Sequence, residues 1–269
     1  MIMAGAPSLN KRPIPILMYH QIDEPPPEGS PFRGLYVSPR AFSRQMALLK
    51  ALGYTGLSMQ DLLPYLKGER EGKVIGITFD DGYQNNLTHA MPVLNEHGFS
   101  STCYVVSGLL GKTNLWDEHH GIPQVPLMNA AELRQWISAG QHVGSHTYRH
   151  VNLVETADSE TLTEVNLGKA ALETATESAA DHFCYPYGQY DARHTRMAAE
   201  AGFVTATTTW RGRCKLNADL LELPRIAVMR STSLLALWLK ISTIYEDLRG
   251  ERNKRRSAAK KALLSRVTG

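Results

Sequence analysis

Cysteine is scarce: the 269 residues contain Cys103, Cys184 and Cys214 and no other. An odd number without paired spacing frames neither a disulfide scaffold nor a zinc knuckle, and it fits a reducing compartment. No stretch reaches the ~18 apolar residues of a membrane-spanning helix. The opening MIMAGAPSLNKRP also lacks the apolar run of a secretory signal, so a cytoplasmic location is expected. Basic residues interleaved with aromatics are missing, which argues against a nucleic-acid partner despite a net charge of +3. That excess is local. Between Arg249 and Gly269 stand eight Lys or Arg residues and one acid, Glu251. With no linker elsewhere, the chain divides into one domain over residues 1–248 and a basic tail over residues 249–269. The tail is expected to make weak contact with an anionic surface, either the inner face of a membrane or an acidic glycan, at about 1 kcal/mol per basic residue.

What is present is a repeating alternation. Short apolar runs at Ile14–Tyr19, Val74–Phe79, Thr102–Val106, His142–Ser145, His182–Tyr185, Phe203–Thr207 and Arg225–Met229 are each followed by polar loops and helical patterns. Such alternation means parallel strands with helical crossovers. Ser38 before Pro39 caps a helix whose stripe is Phe42, Met46 and Leu49, and Gly53 ends it. Asn129 and Glu132 form a capping box ahead of Leu133 and Trp136, and Asp191 starts a third helix running toward Gly202. Leu234, Trp238, Ile241, Tyr245 and Leu248 recur at helical spacing, predicting a last helix packed on the rest. The fold expected is α/β, a distorted (β/α) barrel of seven or eight parallel strands. An open doubly wound sheet is the alternative.

Three segments carry chemistry. TFDDGY at Thr78–Tyr83 places Asp80 and Asp81 directly after an apolar strand, the catalytic end of a barrel. Taken alone, it equally describes a strand-ending turn. GSHTYRH at Gly144–His150 sets His146 and His150 four residues apart after another strand; two imidazoles and a carboxylate suit zinc with a position left for water. Alone, such a pair is more often solvated or structural. FCYPYGQYD at Phe183–Asp191 fixes a loop with Pro186 and Gly188, where the Tyr187 N–H can face an oxyanion and the Tyr185 and Tyr187 rings can line a sugar site. A tight turn ending in the helix cap Asp191 fits it as well.

The ordered triple is far more specific than any member, and it resembles the polysaccharide deacetylase family, the chitin-oligosaccharide deacetylase type of carbohydrate esterase. The resemblance spans Pro15 to Met229 and makes residues 1–248 the catalytic domain. It implies removal of an N-acetyl group from a sugar of a polysaccharide, oligosaccharide or lipid-linked glycan. It also assigns Asp80 as general base, Asp81, His146 and His150 as ligands of a divalent metal, and the Pro186–Tyr187 loop as oxyanion and substrate wall. Zinc is the expected ion, with Co2+, Ni2+ or Mn2+ as alternatives. Adjacent carboxylates then make sense, because one binds the metal while its neighbour stays free to take a proton.

Two departures from the family pattern stand out. Cys184 occupies the place where many members have an arginine that orients the base; Arg225, beginning the last strand run, is the substitute expected, against a reading as a surface strand-end arginine. The late Leu-x-His motif of the general acid is missing, since no histidine follows His194. His20 ends the first strand, which barrel closure sets beside the last, so it is the acid expected here, against a loop histidine that merely caps the strand. Trp116 lies in a long loop with Asp117, Glu118, His119 and His120, which reads as a cleft wall contacting substrate rather than a second metal site. Rival functions are a cyclic amide (imide or ureide) hydrolase on the same fold and, in another class, an inactive sugar-binding module.

Overall fold

A computed structural model describes residues 12–267; most of the opening segment, the first eleven residues, lies outside the described residues, as do 268 and 269. Among the described residues the strands are β1 (Ile16–Tyr19), β2 (Gln21–Ile22), β3 (Tyr36–Val37), β4 (Thr55–Leu57), β5 (Val74–Phe79), β6 (Thr102–Val105), β7 (His142–Ser145), β8 (His182–Cys184), β9 (Thr205–Arg211) and β10 (Leu223–Ala227). The helices are α1 (Pro39–Ala51), α2 (Met59–Leu66), α3 (Met91–His97), α4 (Ala130–Ser138), α5 (Asp158–Thr176), α6 (Ala192–Glu200), α7 (Leu234–Ser242) and α8 (Tyr245–Val267).

Strand order in the main sheet is β1-β10-β9-β8-β7-β6-β5-β4, and β1 also pairs with β5. All these pairings are parallel. The β1–β5 ladder closes seven strands into a barrel and leaves β4 as an added strand against the start of β5. The closed alternative is therefore the right one, and the open sheet is excluded. Every residue of β1 and of β5 is buried, as expected for strands covered on both faces. Tyr19, Phe42, Phe79 and Trp136 meet ring to ring at centroid distances of 5.2–5.9 Å, binding α1 and α4 to the barrel.

The helix signals act as read. Ser38 accepts the Ala41 N–H at 3.3 Å, and Asn129 and Glu132 form both halves of their capping box. Gly53 and Gly140 take φ of 77° and 84°, values that favour glycine, where α1 and α4 end. Some boundaries differ. The run at Phe203–Thr207 is a strand from Thr205 to Arg211, and that at Arg225–Met229 runs from Leu223 to Ala227. Strand β4 was not foreseen, because Gly56 breaks its apolar run. A Cβ there would lie 2.7 Å from the Phe99 ring, so packing rather than propensity sets that residue.

The last helical stripe is also corrected. It is not one helix packed on the barrel. Thr243, extended at φ −122° and ψ 172°, separates α7 from α8. Leu237 and Ile241 are buried, but Leu234, Trp238, Tyr245 and Leu248 are exposed. Helix α8 then continues without interruption across residue 249, where the composition turns basic. Among the described residues, no helix is long and apolar enough to cross a membrane.

Candidate active site

The candidate residues meet at the C-terminal ends of the barrel strands. Asp80 and Asp81 follow β5, His146 and His150 follow β7, His20 follows β1, and Arg225 reaches in from β10. A cleft of ≈ 380 Å³ opens there, with His20, Asp80, Asp81, His146, His150, Trp116, Tyr185 and Tyr187 in its wall.

Arg225 is the organiser of Asp80. Its side chain is fully buried, and its two terminal nitrogens donate to the two carboxylate oxygens at 2.6 and 2.8 Å. The remaining donors are used as well. Nε reaches the Thr208 carbonyl at 2.9 Å, Nη1 the Thr78 hydroxyl at 3.0 Å and Nη2 the Cys184 sulfur at 3.1 Å. The guanidinium also sits 5.7 Å from the Tyr104 ring centre. Burial by itself would raise the Asp80 carboxyl, but the charge and hydrogen bonds of Arg225 outweigh it and hold Asp80 below the ordinary carboxylate range. Arg225 is thus a buried ion-pair partner, not a surface strand-end residue. His20 Nε2 lies 3.9 Å from Asp80 Oδ2 and is partly open to the cleft.

Asp81 faces the two imidazoles. Its Oδ1 is 3.4 Å from Nε2 of His146 and 3.4 Å from Nε2 of His150, long for hydrogen bonds. Ligands about 2.1 Å from a tetrahedral ion lie about 3.4 Å apart, so the spacing fits a metal better than direct contact. The Nδ1 of His146 donates to the Cys184 carbonyl at 2.8 Å, which leaves Nε2 to face Asp81. Burial would raise the Asp81 carboxyl, yet its interactions with the facing imidazoles of His146 and His150 keep it well below its usual range. Asp81, Thr147 and His150 all hold positive φ (76°, 64° and 63°). Such backbone costs about 1–2 kcal/mol per non-glycine residue and clusters where geometry serves function.

A second group of donors, Asp80, His146 and Cys184, also converges. There, however, the Arg225 guanidinium already bonds both Asp80 oxygens and the Cys184 sulfur. A cation would meet that charge, so of the two groups among the described residues Asp81, His146 and His150 form the one open to a metal.

The walls are aromatic. Trp116 and Tyr187 flank His150 at ring-centroid distances of 4.5 and 4.6 Å. Tyr187 sits at φ 57° in the turn fixed by Pro186 and Gly188 and is half exposed, as a ring offered to a ligand would be. Tyr185 is buried, with its hydroxyl donating to the Leu221 carbonyl at 3.0 Å, and it lines the cleft floor with little surface exposed. The loop of Trp116 forms a short helical turn, Leu115–His120, in the cleft wall; the side chain of His120 lies outside the described residues. Sequence reasoning assigned no role to Tyr36, Tyr83 and Met229, which are among the other residues of the wall. It also missed the two contacts of Cys184, whose carbonyl orients His146 and whose sulfur meets Arg225. The signals at hand were the place of residue 184 at a strand end and its standing where the family has the arginine that Arg225 replaces.

At one rim of a closed parallel barrel, then, a carboxylate gripped by an arginine stands apart from an Asp-His-His cluster. Residues 67–206 match the model of the family described as polysaccharide deacetylase. The match covers more than half the chain, and the chain belongs to that family, whose members hydrolyse linear amide C–N bonds of acetylated sugars. His20 and Arg225 lie outside the matched stretch. YxkH of Bacillus subtilis strain 168, named for the same family, is 25% identical over 217 residues, 80% of this chain and 71% of YxkH. The deacetylase PplD of Streptococcus pyogenes, solved with acetate, superposes with a TM-score of 0.76 at 26% identity, covering 87% of this chain and 100% of PplD. The polysaccharide deacetylase BC0361 of Bacillus cereus gives 0.72 at 26%, covering 86% and 69%.

Proposed function

We propose that the protein removes the N-acetyl group from an acetylated sugar of a glycan, releasing acetate and leaving the amine, with a divalent ion held by Asp81, His146 and His150. The observation that carries this reading is the separation of the two carboxylates. Asp81 Oδ1 faces both imidazoles at 3.4 Å, while Asp80 is gripped by Arg225. Zinc suits a donor set of one oxygen and two nitrogens, with Co2+, Ni2+ or Mn2+ as the alternatives. When bound, such an ion supplies Lewis acidity, making water easier to deprotonate and the acetamide carbonyl more electrophilic.

The chain's own residues do the rest. Asp80, kept ionised and oriented by Arg225, accepts the proton of the attacking water. The Tyr187 N–H donates to the oxyanion that develops on the acetamide carbonyl. His20 in its protonated form gives a proton to the departing nitrogen as the C–N bond breaks, so that acetate and a free amine result. The Tyr187 and Trp116 rings provide flat apolar surfaces on either side of His150 against which a pyranose can lie.

Acetate release from N-acetylglucosamine oligomers, measured beside ring opening of cyclic imides, tests the reading. Turnover of the oligomers alone is expected; turnover of the imides alone would overturn it. The role of His20 has its own test. An activated acetyl ester needs little help in leaving, so His20→Ala should slow acetamide hydrolysis by about 10²–10⁴-fold and the ester far less, with metal content unchanged. Equal loss on both substrates would make His20 structural.

A further inference from the structure

The exposed face of α7 and α8 combines two features that the catalytic cleft does not use. On α7, Leu234, Leu235, Trp238 and Leu239 are exposed along one side, next to the arc of the buried Leu237 and Ile241. Ile244 continues the patch at 61% exposure and Leu248 on α8 at 53%, while Leu235 reaches 66%. Singly exposed apolar residues are ordinary, but a contiguous run of seven with Tyr245 is not.

Charge is sorted on α8 in the same sense. Its first acids are turned toward the barrel. Glu246 is fully buried, accepting from Arg211 at 2.7 and 2.9 Å and lying 3.5 Å from Lys240. Asp247 pairs with Arg213 at 2.6 Å. Gly250 backs onto the Arg211 carbonyl so closely that a Cβ would lie 1.9 Å from it. These contacts root the helix and fix which side faces out. On that outer side Tyr245, Leu248, Arg249, Arg252, Arg255 and Arg256 fall within one arc at 100° per residue, with all four arginines exposed.

We propose that this face is a peripheral membrane-binding surface. The leucines, Ile244 and Trp238 enter the headgroup boundary, and the arginines of α8 contact anionic lipid headgroups. An apolar stripe alone would suit a second copy of the chain. Here the adjoining side is basic: Glu246 and Asp247 are turned inward and the exposed Glu251 is outnumbered by the four arginines, so a second copy would set arginine against arginine. An anionic bilayer satisfies both halves at once. The inference goes beyond the hydrolytic reading and does not depend on it.

The test uses the full chain in co-sedimentation with phosphatidylcholine vesicles, with and without phosphatidylglycerol, at low and high salt. Binding is expected only with phosphatidylglycerol, and weaker at high salt. Arg252→Ala, Arg255→Ala and Arg256→Ala together should lower partitioning by about 100-fold. Leu235→Asp with Leu239→Asp should lower it by roughly tenfold or more, with thermal unfolding unchanged in both variants because every altered side chain is exposed. Equal binding to both vesicle types, no binding, or unaffected variants would overturn the proposal. So would a dimer in light scattering that the Leu235/Leu239 variant converts to monomer without any vesicle binding, since the occupant would then be a second copy. Capture of an acidic polysaccharide in place of vesicles would overturn it too.

Discussion

Asp80→Asn should bind metal as the parent does and yet lose about 10²–10⁴-fold in kcat, because the amide can still accept from Arg225 but takes no proton from water. The expected contrast is with Asp81→Ala, His146→Ala and His150→Ala, which should lose metal and turnover together. The structural basis is that Asp80 offers both its oxygens to Arg225, whereas Asp81 offers one oxygen to two imidazoles. Metal analysis beside kcat separates the groups. An Asp80→Asn protein empty of metal, or a His146→Ala protein full of it, would reverse the roles.

The second large effect belongs to Arg225. Arg225→Met removes the partner of a buried carboxylate, and breaking a buried pair from one side costs about 3–5 kcal/mol. The sign for pH follows from what remains. With Arg225, the folded-state Asp80 carboxyl lies below its unfolded value. The pair therefore stabilises the fold above the ordinary carboxylate range, and its contribution fades as pH falls through the lowered folded value. Without Arg225, burial is left to push the carboxyl upward. The acid limb of the rate profile should then move to higher pH and kcat should fall, with KM for a small acetylated sugar little changed. Arg225→Lys should restore part of the charge but not the two-pronged grip, so the limb should return part of the way. A fall in kcat with the acid limb unmoved would mean that Arg225 only supports the fold.

Much of this site was legible because a parallel barrel leaves little choice. Apolar runs buried on both faces must be strands, and polar residues just beyond their C-terminal ends must share one rim, which unites Asp80, Asp81, His146 and His150. Closure of β1 against β10 and β5 likewise put His20 and Arg225 within reach of Asp80. The failures have equally physical sources. β4 is three residues around a glycine chosen for contact with Phe99, a tertiary demand invisible in a local window. β9 runs on through Thr208–Arg211, where two threonines and an arginine around Trp210 break the apolar run. α7 is apolar on nearly all sides, so periodicity could not tell which face meets the barrel. A backbone carbonyl, such as that of Cys184 on His146, leaves no trace in a sequence at all.

The most direct test of the central claim is a metal titration of chelator-stripped protein, following acetate release from N-acetylglucosamine oligomers. Activity should be absent in the stripped chain and return in proportion to zinc up to one ion per chain, while His146→Ala stays silent over the same range of added zinc. Full acetate release by the metal-free chain, or equal recovery by His146→Ala, would contradict it.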